Sequence, residues 1–74
     1  INKIEAEGFE PEVLYGAKET IKNTEYISVD YGFERGPEQE STIVEVNKLL
    51  YHENFELVQF SEYRLIGLYE NKKI

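Results

Sequence analysis

Glu25-Tyr26-Ile27-Ser28-Val29-Asp30-Tyr31-Gly32-Phe33 is the stretch that decides the fold class. Ile27, Val29 and Tyr31 alternate with Tyr26, Ser28 and Asp30, and β-branched and aromatic residues dominate, which is the pattern of a strand with one face in a core. Helical spacing lies on both sides of it. Upstream, Leu14, Ala17 and Ile21 recur at helical intervals with Val13 alongside. Glu10-Pro11-Glu12 reads as the start of that helix: proline suits the first helical position, where its missing N–H costs nothing, and the two carboxylates suit the positive end of the helix dipole. Gly16 either splits this segment into two short pieces or allows close packing on a sheet, and Asn23-Thr24 ends it. Downstream, 32–39 reads as a polar loop with a Gly36-Pro37 turn. Thr42 and Glu45 then have the spacing of a capping box. Ile43, Val46 and Leu50, widened by Leu49, form the apolar stripe of a second helix that ends near His52 to Asn54.

The outer segments complete the pattern. Residues 1–6 alternate weakly and read as a strand, broken by Glu7-Gly8-Phe9. Residues 55–60 and 64–69 read as two further strands joined by the turn Ser61-Glu62-Tyr63, an antiparallel hairpin. The tail from Glu70 to Ile74 is polar and reads as frayed. The order is β-α-β-α-β-β, an α/β domain with a parallel sheet, right-handed crossovers and a C-terminal antiparallel hairpin. There is no internal repeat and no linker, so residues 1–74 read as one small domain or a piece of a larger one.

Composition removes several classes of function. Seventy-four residues cannot hold two domains, nor a complete nucleotide-binding α/β enzyme. The chain opens on Ile1 and not on Met, which suggests a segment of a longer protein. Ten aromatics, six Tyr and four Phe, argue against disorder. The absence of cysteine removes disulfides, cysteine zinc sites and a cysteine nucleophile. No apolar run is long enough to span a membrane, no signal-peptide pattern opens the chain, and a cytoplasmic location is expected. Neither the phosphate-binding loop nor the GxGxxG fingerprint occurs. The net charge is −7, and residues 1–40 carry −6 of it, with ten acids against four bases. Such a chain is poorly suited to phosphate backbones, so nucleic acid is not an expected partner.

Three stretches, taken in order, resemble one family. They are Lys3-Ile4-Glu5-Ala6-Glu7-Gly8-Phe9-Glu10, then Glu12-Val13-Leu14-Tyr15-Gly16-Ala17, then Asp30-Tyr31-Gly32-Phe33-Glu34-Arg35-Gly36 followed by Glu40-Ser41-Thr42. The run is similar to the C-terminal part of the FkbM family of S-adenosylmethionine-dependent methyltransferases, whose pattern resembles Lys-Ile-Asp-x-Glu-Gly-x-Glu and then x-Val-Leu-x-Gly-Ala. Glu5 stands where the family has Asp, which keeps the charge and lengthens the arm. The resemblance implies part of a Rossmann-like, class I methyltransferase sheet of seven strands, of which this chain resembles strands four to seven, as a three-layer αβα remnant. It implies O-methylation of a small-molecule or sugar hydroxyl with S-adenosylmethionine as cofactor, and no residue is assigned to a metal. It places the main cofactor loops after strands one to three, in an N-terminal half absent from this sequence. The isolated chain is then inactive, and the free edge of its first strand is open to that half or to a second copy.

The candidate site follows from strand ends. Glu5 and Glu7 are two apart on a strand and point the same way. The carboxyl ends of parallel strands are where α/β sheets bind ligands, so this pair is the candidate catalytic set, able to orient or deprotonate an acceptor. A solvated strand end whose acids cap the next helix would show the same residues. Asp30, Glu34 and Arg35 end the neighbouring strand and form the expected second wall, with Gly8 supplying close approach or a turn. A surface loop with an ion pair of little value is the other account of them. His52 suits a helix C-terminus, the six tyrosines suit packing, and Ser41 and Thr42 suit caps. Two other functions fit the residues: an acidic interaction module that associates through an open sheet edge, and a fragment of a metal-dependent hydrolase built on the acid pairs.

Overall fold

The computed structural model describes residues 3–7, 16–32 and 37–74. Its elements are β1 (Lys3–Glu7), α1 (Lys18–Lys22), β2 (Tyr26–Asp30), α2 (Pro37–His52), β3 (Phe55–Ser61) and β4 (Ile66–Asn71). The expected alternation of strands and helices is present. The helix start at Glu10-Pro11-Glu12, the apolar positions Val13 and Leu14, and the turn at Gly8-Phe9 lie outside the described residues. Gly16 precedes α1, and no described residue stands within 4 Å of where its Cβ would be.

The four strands form one mixed sheet in the order β1-β2-β4-β3. β1 and β2 are parallel, with Ile4 beside Ile27 and Glu7 beside Asp30. β4 runs antiparallel to β2 and to β3, so the last strand is inserted between the second and the third. The hairpin read from alternation is therefore present, and its second arm reaches the middle of the sheet. β3 carries a bulge between Leu57 and Gln59.

One face of the sheet makes the core. Ile27 and Val29 of β2, Tyr69 of β4 and Phe55 of β3 are buried in one cluster with Tyr31, with Ile21 of α1 and with Val46 and Leu50 of α2. Both described helices therefore cover the same face. The second helical layer of a three-layer sandwich is not among the described residues, which form two layers. The opposite face carries a charged ladder. Tyr26, Glu70 and Glu56 stand in register across three strands, and Lys72 Nζ lies 3.1 Å from Glu70 and 3.3 Å from Glu56. Two carboxylates placed directly opposite would repel, and the shared ammonium offsets this. Lys72 holds the Glu70 carboxyl below its ordinary value, and the Glu70 carboxylate raises the Tyr26 hydroxyl.

Three local expectations need correction. α2 begins at Pro37, five positions before the expected Thr42 cap, so Ser41, Thr42 and Glu45 lie within the helix. Proline occupies the first helical position, where no N–H is needed. The helix ends as expected: Asn54 adopts φ 72° just beyond it, a left-handed termination that Asn tolerates. The tail is not frayed at its start. Glu70 and Asn71 belong to β4, and Asn71 is buried, its amide donating to Thr24 O at 3.0 Å and to Lys22 O at 3.2 Å. The tyrosines also divide: Tyr31 and Tyr69 are core, whereas Tyr51 and Tyr63 are 80% and 95% exposed.

Candidate functional site

The parallel pair sets the site. β1 and β2 end together, so Glu7 and Asp30 stand side by side at the carboxyl edge of the sheet. The two acidic strand ends expected to be neighbours are neighbours. Gly8, Glu34 and Arg35 lie outside the described residues. Glu5 sits two residues back, beside Ser28, about 7 Å down the strand at the usual rise per residue. Its side chain is 78% exposed and 3.6 Å from Lys3 Nζ. An ion pair this open contributes little, and Glu5 does not line the depression described next.

That depression opens beyond the end of β2, holds about 540 Å³, and is lined by Asp30, Gly32, Gln39, Tyr63 and Arg64, with Leu65 and Ile66 behind them. Asp30 Oδ1 accepts a hydrogen bond from Gly32 N at 2.8 Å, a local turn that fixes the carboxylate. A Cβ on Gly32 would lie 3.0 Å from that oxygen, so glycine lets the chain leave the strand without displacing Asp30. Gln39, in the first turn of α2, donates from Nε2 to Tyr31 O at 2.9 Å and so ties the helix start to the strand end.

The opposite wall comes from the β3–β4 turn. Tyr31 N donates to Leu65 O at 2.8 Å, which continues the β2–β4 pairing past the strand and brings the turn against Asp30. Leu65 has φ 55°, and its N–H donates to Ser61 O at 2.6 Å, so the turn closes tightly and presents Tyr63 and Arg64. The site thus combines a carboxylate, an amide, a phenol and a guanidinium around one opening. Such a set can bind and orient a polar small molecule through hydroxyl, amino or anionic groups.

Sequence reasoning located Asp30 and missed Gln39, Tyr63 and Arg64. By sequence pattern Gln39 falls at the end of a loop and Arg64 at the start of a strand. Their juxtaposition depends on β4 lying beside β2, which no local pattern reports. Among the described residues no group of three or more His, Asp or Glu is placed to hold a metal ion. No described helix is long and apolar enough to cross a membrane.

No protein-family model, curated protein or solved structure matches this chain.

Proposed function

We propose that this chain is the C-terminal portion of an S-adenosylmethionine-dependent methyltransferase of FkbM type, and that the depression at the end of β2 belongs to its acceptor side. The order of the sheet carries the reading. Two parallel strands are followed by a hairpin whose last strand returns antiparallel beside β2, as a reversed terminal hairpin requires. Among the described strands β1 has a neighbour on one side alone, and its other side is where a larger parallel sheet would continue. The depression lies outside the carboxyl ends of the strands, the position at which open α/β sheets take ligands. A cytoplasmic location accompanies this reading.

The residues of this chain do not make a cofactor site by themselves. The loops that the resemblance assigns to S-adenosylmethionine follow strands upstream of β1, and no Gly-rich turn replaces them here. When bound in the whole enzyme, the cofactor supplies the methyl group. What this chain contributes is acceptor positioning. Asp30, with one oxygen fixed by Gly32, orients an acceptor hydroxyl and can take its proton. Gln39, Tyr63 and Arg64 hold the remainder of the acceptor, and Glu7 stands on the adjoining strand end.

Two titrations test this on the chain as it stands. Calorimetry with S-adenosylmethionine is expected to show no micromolar binding. Amide shifts on adding millimolar methyl glycosides are expected at 30–32, 39 and 63–66. Tight cofactor binding, or acceptor shifts that fall elsewhere, would refute the division of labour.

A further inference from the structure

We propose that this chain self-associates through a two-fold interface built on the edge strand β3 and the adjoining side of α2, and not through β1. The proposal is independent of the methyltransferase reading. Among the described strands β3 has a single neighbour, β4, and every residue of it except Phe55 is exposed. Three of those are large and apolar: Leu57, Val58 and Phe60 are 41%, 46% and 37% exposed. Leu57 and Phe60 lie side by side over Gly67, where their Cδ1 atoms stand 3.2 and 3.5 Å from the position of an added Cβ. Tyr51 of α2 shares with Leu57 and Phe55 a groove of about 340 Å³ between helix and strand. The result is one continuous apolar strip at a sheet edge.

The area and the charge both point to a second copy. With aromatic side chains of roughly 150–250 Å² each, Tyr51, Leu57, Val58 and Phe60 expose on the order of 400 Å². That reaches the size at which an apolar patch marks an interaction site, and it is about half of the ~800 Å² that each partner gives to a standard interface. Two copies of a chain carrying −7 repel in most orientations. The strip is the exception. Lys48 stands on the groove wall, and Glu56, which belongs to the charged face of the sheet, shares Lys72 at 3.3 Å with Glu70.

A two-fold axis near Val58 sets Val58 against its counterpart and brings Glu56 of one copy toward Phe60 of the other, so no like charges oppose. The bulge between Leu57 and Gln59 interrupts a continuous backbone ladder, so the contact is made mainly by side chains. β1 is the poorer edge. A two-fold axis at its centre sets Glu5 against Glu5, and none of its described residues is a large exposed apolar one.

Sedimentation velocity over a concentration series, on the full chain, tests the proposal. The expected species at high concentration has about twice the 8.7 kDa mass of the chain. Val58→Lys and Tyr51→Lys change exposed side chains, so far-UV circular dichroism should stay native. Each is expected to weaken dimerisation at least about tenfold, the effect of losing one anchor residue. Glu5→Lys is expected to leave it unweakened. A chain that stays monomeric up to its solubility limit overturns the proposal. So does a dimer that both β3-side substitutions leave intact, or one that Glu5→Lys disrupts.

Discussion

Replacing Tyr69 by Phe should destabilise the fold more than replacing Tyr31 by Phe, although the two hydroxyls touch each other. They form one chain of hydrogen bonds in the core. Tyr69 OH donates its hydrogen to Asn47 Oδ1, so in the contact of 2.6 Å between the two phenols Tyr31 is the donor and Tyr69 the acceptor. Both rings are buried, at 4% and 2% exposure, while Asn47 is half-buried on α2. Tyr31→Phe removes the end of the chain and leaves Tyr69 still bonded to Asn47, a loss of about 1 kcal/mol. Tyr69→Phe removes the middle and leaves the buried Tyr31 hydroxyl without an acceptor, a loss of about 2–3 kcal/mol. The double variant leaves Asn47 alone changed, and Asn47 can reach water, so it should cost no more than Tyr69→Phe.

A chain of this length has a total stability of roughly 4–11 kcal/mol, so the differences are measurable. Urea unfolding followed by circular dichroism gives them as shifts of midpoint at constant slope. Equal costs for the two single variants, or a double variant whose cost is their sum, would refute this order of donors and acceptors.

Other outcomes follow from the same core and its margins. Asn71→Ala leaves the carbonyls of Lys22 and Thr24 without their side-chain donor and should cost about 2 kcal/mol, read as a lower urea midpoint; an unchanged midpoint would contradict it. Gly67→Ala would press a methyl within 3.2 Å of Leu57 and of the Tyr69 ring. Leu57 can move and the buried ring cannot, so a loss of about 1–3 kcal/mol is expected from thermal melting, and a gain in melting temperature would contradict the packing described. Burial raises the hydroxyls of Tyr31 and Tyr69 above the ordinary value of 10.0. The unfolded chain then releases these protons first. The stability they support is complete below about pH 10 and falls as the pH rises past it. Urea midpoints taken on either side of that value should drop, and the drop should be smaller in Tyr31→Phe.

The strands were legible because each declares itself by alternation over its own residues: Ile27 and Val29 in β2, and the two arms of the hairpin. α2 was legible as a helix from Ile43, Val46 and Leu50, but not at its start. Gly36-Pro37 signals a turn and a first helical turn equally, and Thr42 with Glu45 has the spacing of a cap and of an ordinary helix surface. Which is used depends on where Gln39 can reach Tyr31 O, a tertiary fact. Asn71 was misread because a polar residue at a strand end looks solvated until its partners, the carbonyls of Lys22 and Thr24, are in place. In the site, Asp30 was visible as an acid at the end of a parallel strand. Arg64 and Tyr63 were not, because they reach Asp30 through the insertion of β4 beside β2. The exposed strip on β3 escaped for the opposite reason: its alternation is that of a buried strand, and no described helix covers its far half.

The insertion of β4 also dictates the timing of assembly. β4 holds β2 and β3 together, so the sheet cannot close until residue 71 has been synthesised and has left the ribosome. Before that point the parallel pair has no support on the β4 side, and the apolar face of β3 has nothing to pair with. Folding of the sheet is therefore delayed to the end of translation of this segment, and the nascent chain carries two unpaired strand edges for as long as that takes.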